Sequence, residues 1–185
     1  MKIITGIAKG MNLETLEGDN TRPTSQRVKE AIFSMIQFDI EGRKVLDLFA
    51  GSGQLALEAL SRGAEEAVLC DSSKQAADII KKNAVKTRLS EKVKLHVCDS
   101  LKLIPKLGYE KFDLVFLDPP YALKMYTPAL RALIKADMLK PTTLIICESG
   151  EEQVFDGDSE LASLFSIEKQ TRYSKTFITV FKPNF

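Results

Sequence analysis

The sequence predicts an α/β fold in which a mixed sheet of seven strands is covered by helices. Short apolar runs alternate with helical stretches from residue 44 onward. The runs lack the period-two alternation of a half-exposed strand, so we expect parallel strands that are buried on both faces. The last two runs lie too close together in sequence for a crossover helix, which predicts that they pair as an antiparallel hairpin.

Each element of this fold has its own run or helical stretch. The parallel strands are predicted at residues 45–49, 67–70, 93–98, 112–117 and 144–147. The helices between them are predicted at residues 54–62, 74–86, 101–107 and 128–135. The strands of the hairpin are predicted at residues 164–167 and 177–181, with residues 168–176 as their connection.

The first 24 residues are predicted to form an arm ahead of the core. Loose alternation over residues 2–17 predicts a short β-hairpin, and residues with loop chemistry follow it. Apolar residues at helical spacing then predict an amphipathic helix over residues 25–37, which Thr24 or Ser25 can cap. The chain of 185 residues suffices for one compact domain, so the arm and the core (residues 25–185) are assigned to a single domain.

Composition argues against several classes of protein. At 44% hydrophobic residues the chain is too apolar for a disordered protein, and no apolar run approaches the length of a membrane span. Three scattered cysteines, expected to be small buried strand residues, and a single histidine argue against a disulfide framework, a metal site or a histidine triad. The start of the chain lacks the features of a secretory signal, so we expect a cytoplasmic protein. The net charge of +1 gives no general support for nucleic-acid binding.

A glycine turn follows the first strand and opens the next helix. Its residues are Asp47, Leu48, Phe49, Ala50, Gly51, Ser52 and Gly53. Glycines at such a turn let a ligand approach the N-terminus of the helix. With Ala56 and with Asp71 about 20 residues further on, the turn satisfies the fingerprint of a dinucleotide site. Nicotinamide dehydrogenases and S-adenosylmethionine enzymes share this pattern, so the turn alone leaves both open.

Three carboxylates at strand ends favour S-adenosylmethionine. Asp47 would repel a pyrophosphate but suits a ligand that carries an ammonium and a sulfonium group. Asp71 is placed to accept hydrogen bonds from ribose hydroxyls, and Asp99 with Ser100 could contact an adenine amine. Each carboxylate also has a purely structural interpretation, in which Asp47 caps the loop and Asp71 or Asp99 caps the following helix. All three are expected at the carboxyl edge of the sheet, where open α/β folds bind ligands.

A rigid turn ends the fourth core strand, with the sequence Asp118, Pro119, Pro120 and Tyr121. Two consecutive prolines remove two backbone donors and fix φ at both positions. The Asp118 side chain and the Pro119 carbonyl could accept both N–H bonds of an exocyclic base amine, which would free the nitrogen lone pair for attack. Tyr121 could stack on the extruded base. A turn that only terminates the strand is the structural alternative.

The order of these motifs resembles the class I methyltransferases of exocyclic amines. More narrowly, it resembles the bacterial 16S ribosomal RNA guanine-N2 methyltransferases of the small ribosomal subunit. The resemblance covers nearly the whole chain, and its specific pieces lie at residues 3–10, 22–33, 47–53, 57–64 and 118–121. One departure is Asp71, where many relatives carry glutamate. The resemblance implies a Rossmann-like fold and S-adenosylmethionine as the cofactor.

These observations define three sets of candidate site residues. The candidate cofactor-binding residues are Asp47, Phe49, Gly51, Ser52, Gly53, Asp71, Asp99 and Ser100. The candidate catalytic residues are Asp118, Pro119, Pro120 and Tyr121. The candidate substrate-binding residues are Arg22, Thr24, Arg27 and Tyr121. Further basic residues either line an RNA face or are simply solvated, namely Lys29, Lys169, Arg172 and Lys175.

The predicted activity is methyl transfer from S-adenosylmethionine to N2 of a guanine in 16S ribosomal RNA. It is expected to proceed by in-line displacement, without a covalent intermediate or a metal, and better on RNA within a small-subunit particle than on naked RNA. No membrane partner is expected. An adenine-N6 methyltransferase acting on RNA or DNA is the nearest alternative. A nicotinamide oxidoreductase, for which no hydride-transfer residue is evident, and a non-catalytic RNA-binding assembly factor are the others.

Overall fold

The computed structural model describes residues 1–16, 25–120 and 123–185 of the chain. Seven strands within these ranges form one sheet: β1 (Lys44–Asp47), β2 (Glu66–Asp71), β3 (Val93–Val97), β4 (Phe112–Leu117), β5 (Leu139–Ser149), β6 (Phe165–Tyr173) and β7 (Thr176–Pro183). Their order across the sheet is β3-β2-β1-β4-β5-β7-β6. Strands β1 to β5 are parallel, and β7 runs antiparallel to both β5 and β6.

Six α-helices surround the sheet in the described ranges. They are α1 (Gln26–Met35), α2 (Gln54–Ser61), α3 (Lys74–Thr87), α4 (Ser100–Leu103), α5 (Tyr126–Lys135) and α6 (Ser159–Ser163). Two 3₁₀ turns in these ranges are Ser90–Lys92 and Ile104–Lys106. Ser25 caps α1 by accepting a hydrogen bond from the Val28 amide, as one of the two predicted caps. The other, Thr24, lies outside the described residues.

Side chains of the central strands alternate between two apolar layers. One layer packs the arm, α1, α2 and α3 against one face of the sheet, and the other packs α4, α5 and α6 against the opposite face. Every residue of β4 is buried. Because both faces of the central strands are covered, these strands do not alternate in the sequence. Burial on both faces was also predicted for β3, which is wrong, because β3 lies at the edge of the sheet and exposes Lys94 and Val97.

The structure confirms the predicted α/β class, the seven-stranded mixed sheet and the antiparallel C-terminal hairpin. The hairpin is tighter than predicted, because only Ser174 and Lys175 separate β6 from β7. The prediction began β5 at residue 144, which was too late, because the polar and partly exposed start of this strand hid it. The helix α6, of five residues, was not predicted.

Two further predictions differ from the structure. The helix predicted over residues 101–107 is the short α4 followed by a 3₁₀ turn, since Pro105 has no amide hydrogen to continue an α-helix. The hairpin predicted in the arm is reduced, within residues 1–16, to one antiparallel bridge between Lys2 and Asn12. Much of the arm's hydrogen bonding goes to α2 and α3 instead.

The strand order creates a topological switch point between β1 and β4. The chain builds β1, β2 and β3 outward in one direction and then returns to place β4 on the other side of β1. The loops after β1 and β4 therefore diverge to opposite faces, and open α/β sheets bind ligands in the crevice that this leaves. No helix in the described residues is both long and apolar enough to cross a membrane.

Candidate functional site

Four predicted carboxylates lie at or just beyond the ends of four neighbouring strands. Strand pairing sets Asp47 opposite Phe116 of β4 and opposite Leu69 of β2, so Asp118 and Asp71 each follow two residues beyond these partners. Asp71 in turn pairs with Val97, two residues before Asp99. The structure thus brings the predicted carboxylates to one edge of the sheet, on both sides of the switch point.

The glycine turn joins β1 to α2 through two left-handed residues. Gly51 has φ of +54° and Gly53 has φ of +76°, a region that residues with a side chain rarely adopt. A Cβ on Gly53 would lie 3.2 Å from a side-chain carbon of Ile80, whereas a Cβ on Gly51 would meet no atom within 4 Å. Gly53 therefore allows close packing of α3, and Gly51 borders open space that a ligand can enter.

Asp47 is a buried carboxylate with an unsatisfied oxygen. Its side chain is 1% exposed, and Oδ1 has no hydrogen-bond partner among the described residues. Burial, together with the nearby charge of Asp71, raises the pKa of Asp47 to about 7, although the Phe49 and Ala56 amides donate to the carboxylate and oppose this rise. An unsatisfied buried carboxylate is costly on its own, so the site favours a cationic ligand.

Asp71 ties the glycine turn to the end of β2. Its two carboxylate oxygens accept hydrogen bonds from the Gly51 amide at 2.9 Å and from the Ser73 amide at 2.8 Å. The interpretation of Asp71 as the cap of α3 is wrong, because Ser73 caps this helix through the Ala76 amide. A carboxylate oxygen can accept more than one hydrogen bond, so Asp71 keeps acceptor capacity for ribose hydroxyls.

Asp99 and Ser100 lie at the start of α4. The Asp99 carboxylate accepts a hydrogen bond from the Lys102 amide at 3.1 Å and caps this helix, which confirms its structural interpretation. Asp99 is exposed and Ser100 is buried. Two other candidates belong to the glycine turn itself: Phe49 is half-buried against the layer that contains α4 and α5, and Ser52 is buried.

The proline turn leaves β4 beside this cluster. Asp118 is half-buried, Pro119 is buried and Pro120 is exposed. The Pro120 carbonyl accepts a hydrogen bond from the Leu123 amide at 2.9 Å, shortly before α5 begins. Tyr126, the first residue of α5, donates its hydroxyl proton to the Glu148 carbonyl at the end of β5. The remaining predicted residues of the site, Arg22, Thr24 and Tyr121, lie outside the described residues.

Asn83, which sequence reasoning missed, connects the arm to the glycine turn. This side chain of α3 is fully buried and donates to the carbonyls of Glu14 and Ser52, both at 2.9 Å. Its carbonyl oxygen accepts from the Glu14 amide at 2.8 Å. No local sequence signal marks such a residue, because its hydrogen-bond partners are distant in sequence. Ser52 is 31 positions away and Glu14 is 69 positions away.

A second buried network fixes the other end of the arm. Glu58 of α2 accepts hydrogen bonds from the Ile4 and Thr5 amides, and it forms ion pairs with Lys29 at 3.1 Å and with Arg62 at 2.8 Å. Burial lowers the pKa of Lys29, and the charge of Glu58 opposes this effect. Gly6 packs directly against the end of α2. A Cβ at this position would lie 1.7 Å from the Ser61 carbonyl oxygen, so any larger residue would clash with the helix.

Two of the basic residues expected on an RNA face have structural partners instead. Lys29 is fully buried in the pair with Glu58, so both predicted alternatives, an RNA face and a solvated surface, are wrong for this residue. Lys169 donates to the Met35 carbonyl at the end of α1 at 2.6 Å, a position where a positive charge also favours the helix. Arg27 near the start of α1, and Arg172 and Lys175 at the C-terminal hairpin, are exposed.

The three cysteines are free thiols, and two of them, Cys70 and Cys98, are neighbours near the carboxyl ends of β2 and β3. Cys70 and Cys147 are buried, as predicted, whereas Cys98 is partly exposed just beyond β3. The Cys70 sulfur lies 3.2 Å from the Cys98 carbonyl oxygen and 4.0 Å from the Cys98 sulfur. Burial raises the pKa of Cys70 and of Cys147, which keeps both as unreactive thiols at neutral pH.

The ionisation of Asp47 should make the ligand-free protein less stable as the pH rises. Its pKa is about 7 in the folded state and ~3.9 when unfolded, so the folded state holds an extra proton between these values. The stability that this proton contributes is lost as the pH rises towards 7.

Replacing Asp47 by asparagine, which cannot ionise, should raise the free energy of unfolding by about 1–3 kcal/mol at pH 8 and hardly at all at pH 4. Urea unfolding at both pH values checks this, and an equal change at both would contradict it.

Comparison with known proteins agrees with this geometry. A family described as "Conserved hypothetical protein 95" matches residues 1–182. A Bacillus subtilis protein provisionally named an rRNA methyltransferase is 33% identical over 184 residues, which cover 98% of each chain. "Ribosomal RNA small subunit methyltransferase D" of Haemophilus influenzae is 35% identical over 155 residues, covering 83% of this chain and 80% of the other. A solved structure from the same organism, provisionally described as a methylase, has a TM-score of 0.80 at 27% identity and covers 98% of this chain and 97% of its own.

Proposed function

Because this chain belongs to the family described as "Conserved hypothetical protein 95", we propose that it is an S-adenosylmethionine-dependent methyltransferase of small-subunit ribosomal RNA. The relatives whose names state this activity align with most of the chain. The sheet order and the C-terminal antiparallel hairpin are those of the class I methyltransferase fold. Within this activity, we propose the N2 amine of a guanine as the methyl acceptor.

The observation that carries the cofactor assignment is the unsatisfied Asp47 carboxylate beside the glycine turn. A nicotinamide dinucleotide would bring its pyrophosphate to this turn, where Asp47 would repel it. S-adenosylmethionine carries an ammonium and a sulfonium group, and its ribose hydroxyls suit the remaining acceptors of Asp71. When bound, it supplies a methyl group that is activated by the positive charge on sulfur. Gly51 leaves space for it, and Asp47 balances its charge.

The proline turn supports an amine as the acceptor of the methyl group. Asp118 and Pro119 stand across the switch point from the glycine turn, so that a base held there would face the cofactor. Their oxygens can accept the two N–H bonds of an exocyclic amine and so localise its lone pair on nitrogen. Catalysis then rests on positioning and on acceptors that are fixed before the reaction.

The sequence motifs favour guanine over adenine as the base. The proline turn fits any exocyclic amine, so the base must be selected by other parts of the pocket. The stretches at residues 22–33 and 57–64 resemble the guanine-N2 enzymes rather than the amino-methyltransferases in general. In the structure, the second of these stretches supplies Glu58 and Ser61, which hold the arm in place, and Arg62, which pairs with Glu58. We therefore propose that the arm helps to close the pocket around guanine.

Calorimetric titration tests the cofactor assignment directly. Replacing Asp71 by alanine should weaken S-adenosylmethionine binding by about 1.5–3 kcal/mol, since it removes hydrogen-bond acceptors that carry a charge. Glu91, an exposed carboxylate before β3 at the opposite edge of the sheet, provides the control, and Glu91→Ala should bind normally. Unchanged affinity in the Asp71 variant, or tighter binding of NAD than of S-adenosylmethionine by the unmodified protein, would contradict the assignment.

A further inference from the structure

We propose that the tip of the C-terminal hairpin, defined as residues 172–175, contacts the phosphate backbone of the RNA beside the target nucleotide. This inference rests on the proposed function and extends it to the place where the substrate strand runs. The tip stands at the same edge of the sheet as the candidate site, because β6 is parallel to β5 and ends at its carboxyl edge. Phe177 pairs with Ser149, the last residue of β5, so the tip extends beyond the neighbouring strand.

The distance from the tip to the proline turn suits a flanking nucleotide rather than the target. Three strand spacings separate β4 from β6 across the sheet. At ~4.8 Å for each spacing, β6 lies about 14 Å to the side of β4. Gln170 is level with Leu117, the last residue of β4, so the end of β6 lies three residues, or about 10 Å, further along the strand direction, and the two strand ends are about 17 Å apart. A group at this distance does not reach the reacting base, but it can hold the strand that carries the base.

Arg172 is held in place for an anion before any ligand arrives. Its guanidinium carbon lies 5.2 Å from the centroid of the Phe177 ring, and its Nε donates to the Ser174 carbonyl at 2.9 Å. These contacts fix the planar group while the residue remains exposed to solvent. A guanidinium that is already oriented can form two parallel hydrogen bonds to a phosphate with little further loss of entropy.

The charge of the tip is not neutralised by the protein. Among the described residues, no salt bridge involves Arg172 or Lys175, although Glu151 and Glu152 lie in the loop after β5. Lys182 at the other end of the same hairpin, by contrast, pairs with Glu168 at 3.2 Å. Gln170 holds β6 through the Thr179 hydroxyl and the Glu152 carbonyl, both at 2.9 Å, which keeps the strand leading to the tip in position. Two cations without acidic partners on a rigid turn can neutralise the charge of phosphates.

The test measures binding to deproteinised small-subunit ribosomal RNA over a range of salt concentrations. The double variant Arg172→Ala/Lys175→Ala should bind this RNA at least tenfold more weakly at low salt, with a shallower dependence of log K on log salt. Its affinity for S-adenosylhomocysteine should equal that of the unmodified protein. Lys182→Ala, the control on the same hairpin, should change neither affinity. Arg172→Lys keeps the charge but loses the planar group, so we expect a smaller loss than for the double variant.

Two results would overturn the inference. One is a double variant that binds the RNA with unchanged affinity and salt dependence. The other is a loss of affinity in the double variant that does not vary with salt concentration, which would mean that the tip does not contact phosphates. Failure of the proposed function has a different signature, in which the unmodified protein itself transfers no methyl group to RNA or does not bind S-adenosylhomocysteine.

Discussion

Replacing Asp118 by alanine should lower the single-turnover rate of methyl transfer about 10²–10³-fold, while S-adenosylmethionine binds as before. The magnitude is that of removing one preorganised hydrogen-bonding group from a developing charge. Asp118 follows β4 on the acceptor side of the switch point, whereas the cofactor-binding candidates follow β1, β2 and β3. Its loss should therefore appear in the rate and not in the affinity for the cofactor. Rapid-quench assays with radiolabelled cofactor, together with calorimetry, measure the two quantities.

The variant Asp118→Asn should transfer the methyl group faster than Asp118→Ala but more slowly than the unmodified protein. The asparagine side-chain oxygen can accept one N–H bond of the target amine, although without the negative charge. Asp137→Asn is the matched control, because Asp137 is an exposed carboxylate before β5 at the opposite edge of the sheet. If Asp118→Ala lost cofactor binding in parallel with activity, Asp118 would have a structural or cofactor-binding role instead.

The largest effect on stability should come from Glu58. Replacing it by alanine leaves Lys29 buried without its partner and removes the acceptor for two amides of the arm. Breaking a buried ion pair in this way costs about 3–5 kcal/mol, because one charge remains in a dry environment. We expect a loss of this size in the free energy of unfolding, measured by urea denaturation at pH 7.

An exposed pair in the same protein provides the comparison. Glu168→Ala breaks the pair with Lys182 at the surface and should cost less than ~1 kcal/mol. The double variant Glu58→Ala/Lys29→Met should recover part of the stability lost in Glu58→Ala, since it removes the unpaired charge. Equal costs for the two glutamates would show that the buried network does not fix the arm.

The sequence predicted the core of the fold because the parallel strands are buried on both faces. Their largely apolar runs are a strong signal, as in β4, where all six residues are buried and only Asp113 is polar. The signal is lost where a strand is exposed. The polar segment after Leu139 hid the start of β5, and the exposed side chains of β6 hid its true length. An exposed polar strand such as β6, at the edge of the sheet, looks like a loop in the sequence, because pairing with its partner strand and not its own pattern defines it.

The candidate site could be anticipated in part for the same reason. A carboxylate that follows a buried parallel strand must lie at the carboxyl edge, so the arrangement of Asp47, Asp71 and Asp118 follows from the strand assignment. Local sequence could not show which neighbours these residues have. Lys29 looked like an exposed cation until α1 was seen packed against Glu58, and Asn83 makes all its contacts over long range.

The most direct test of the proposed function is the identity of the methylated nucleoside. The purified protein would be incubated with isotopically labelled S-adenosylmethionine and small ribosomal subunits from a strain that lacks the protein, and the RNA digested to nucleosides for mass spectrometry. The expected product is N2-methylguanosine in the 16S RNA, formed faster on the subunit than on the naked transcript. Labelled N6-methyladenosine as the only product would contradict the guanine assignment, and no label in the RNA would contradict the proposed activity altogether.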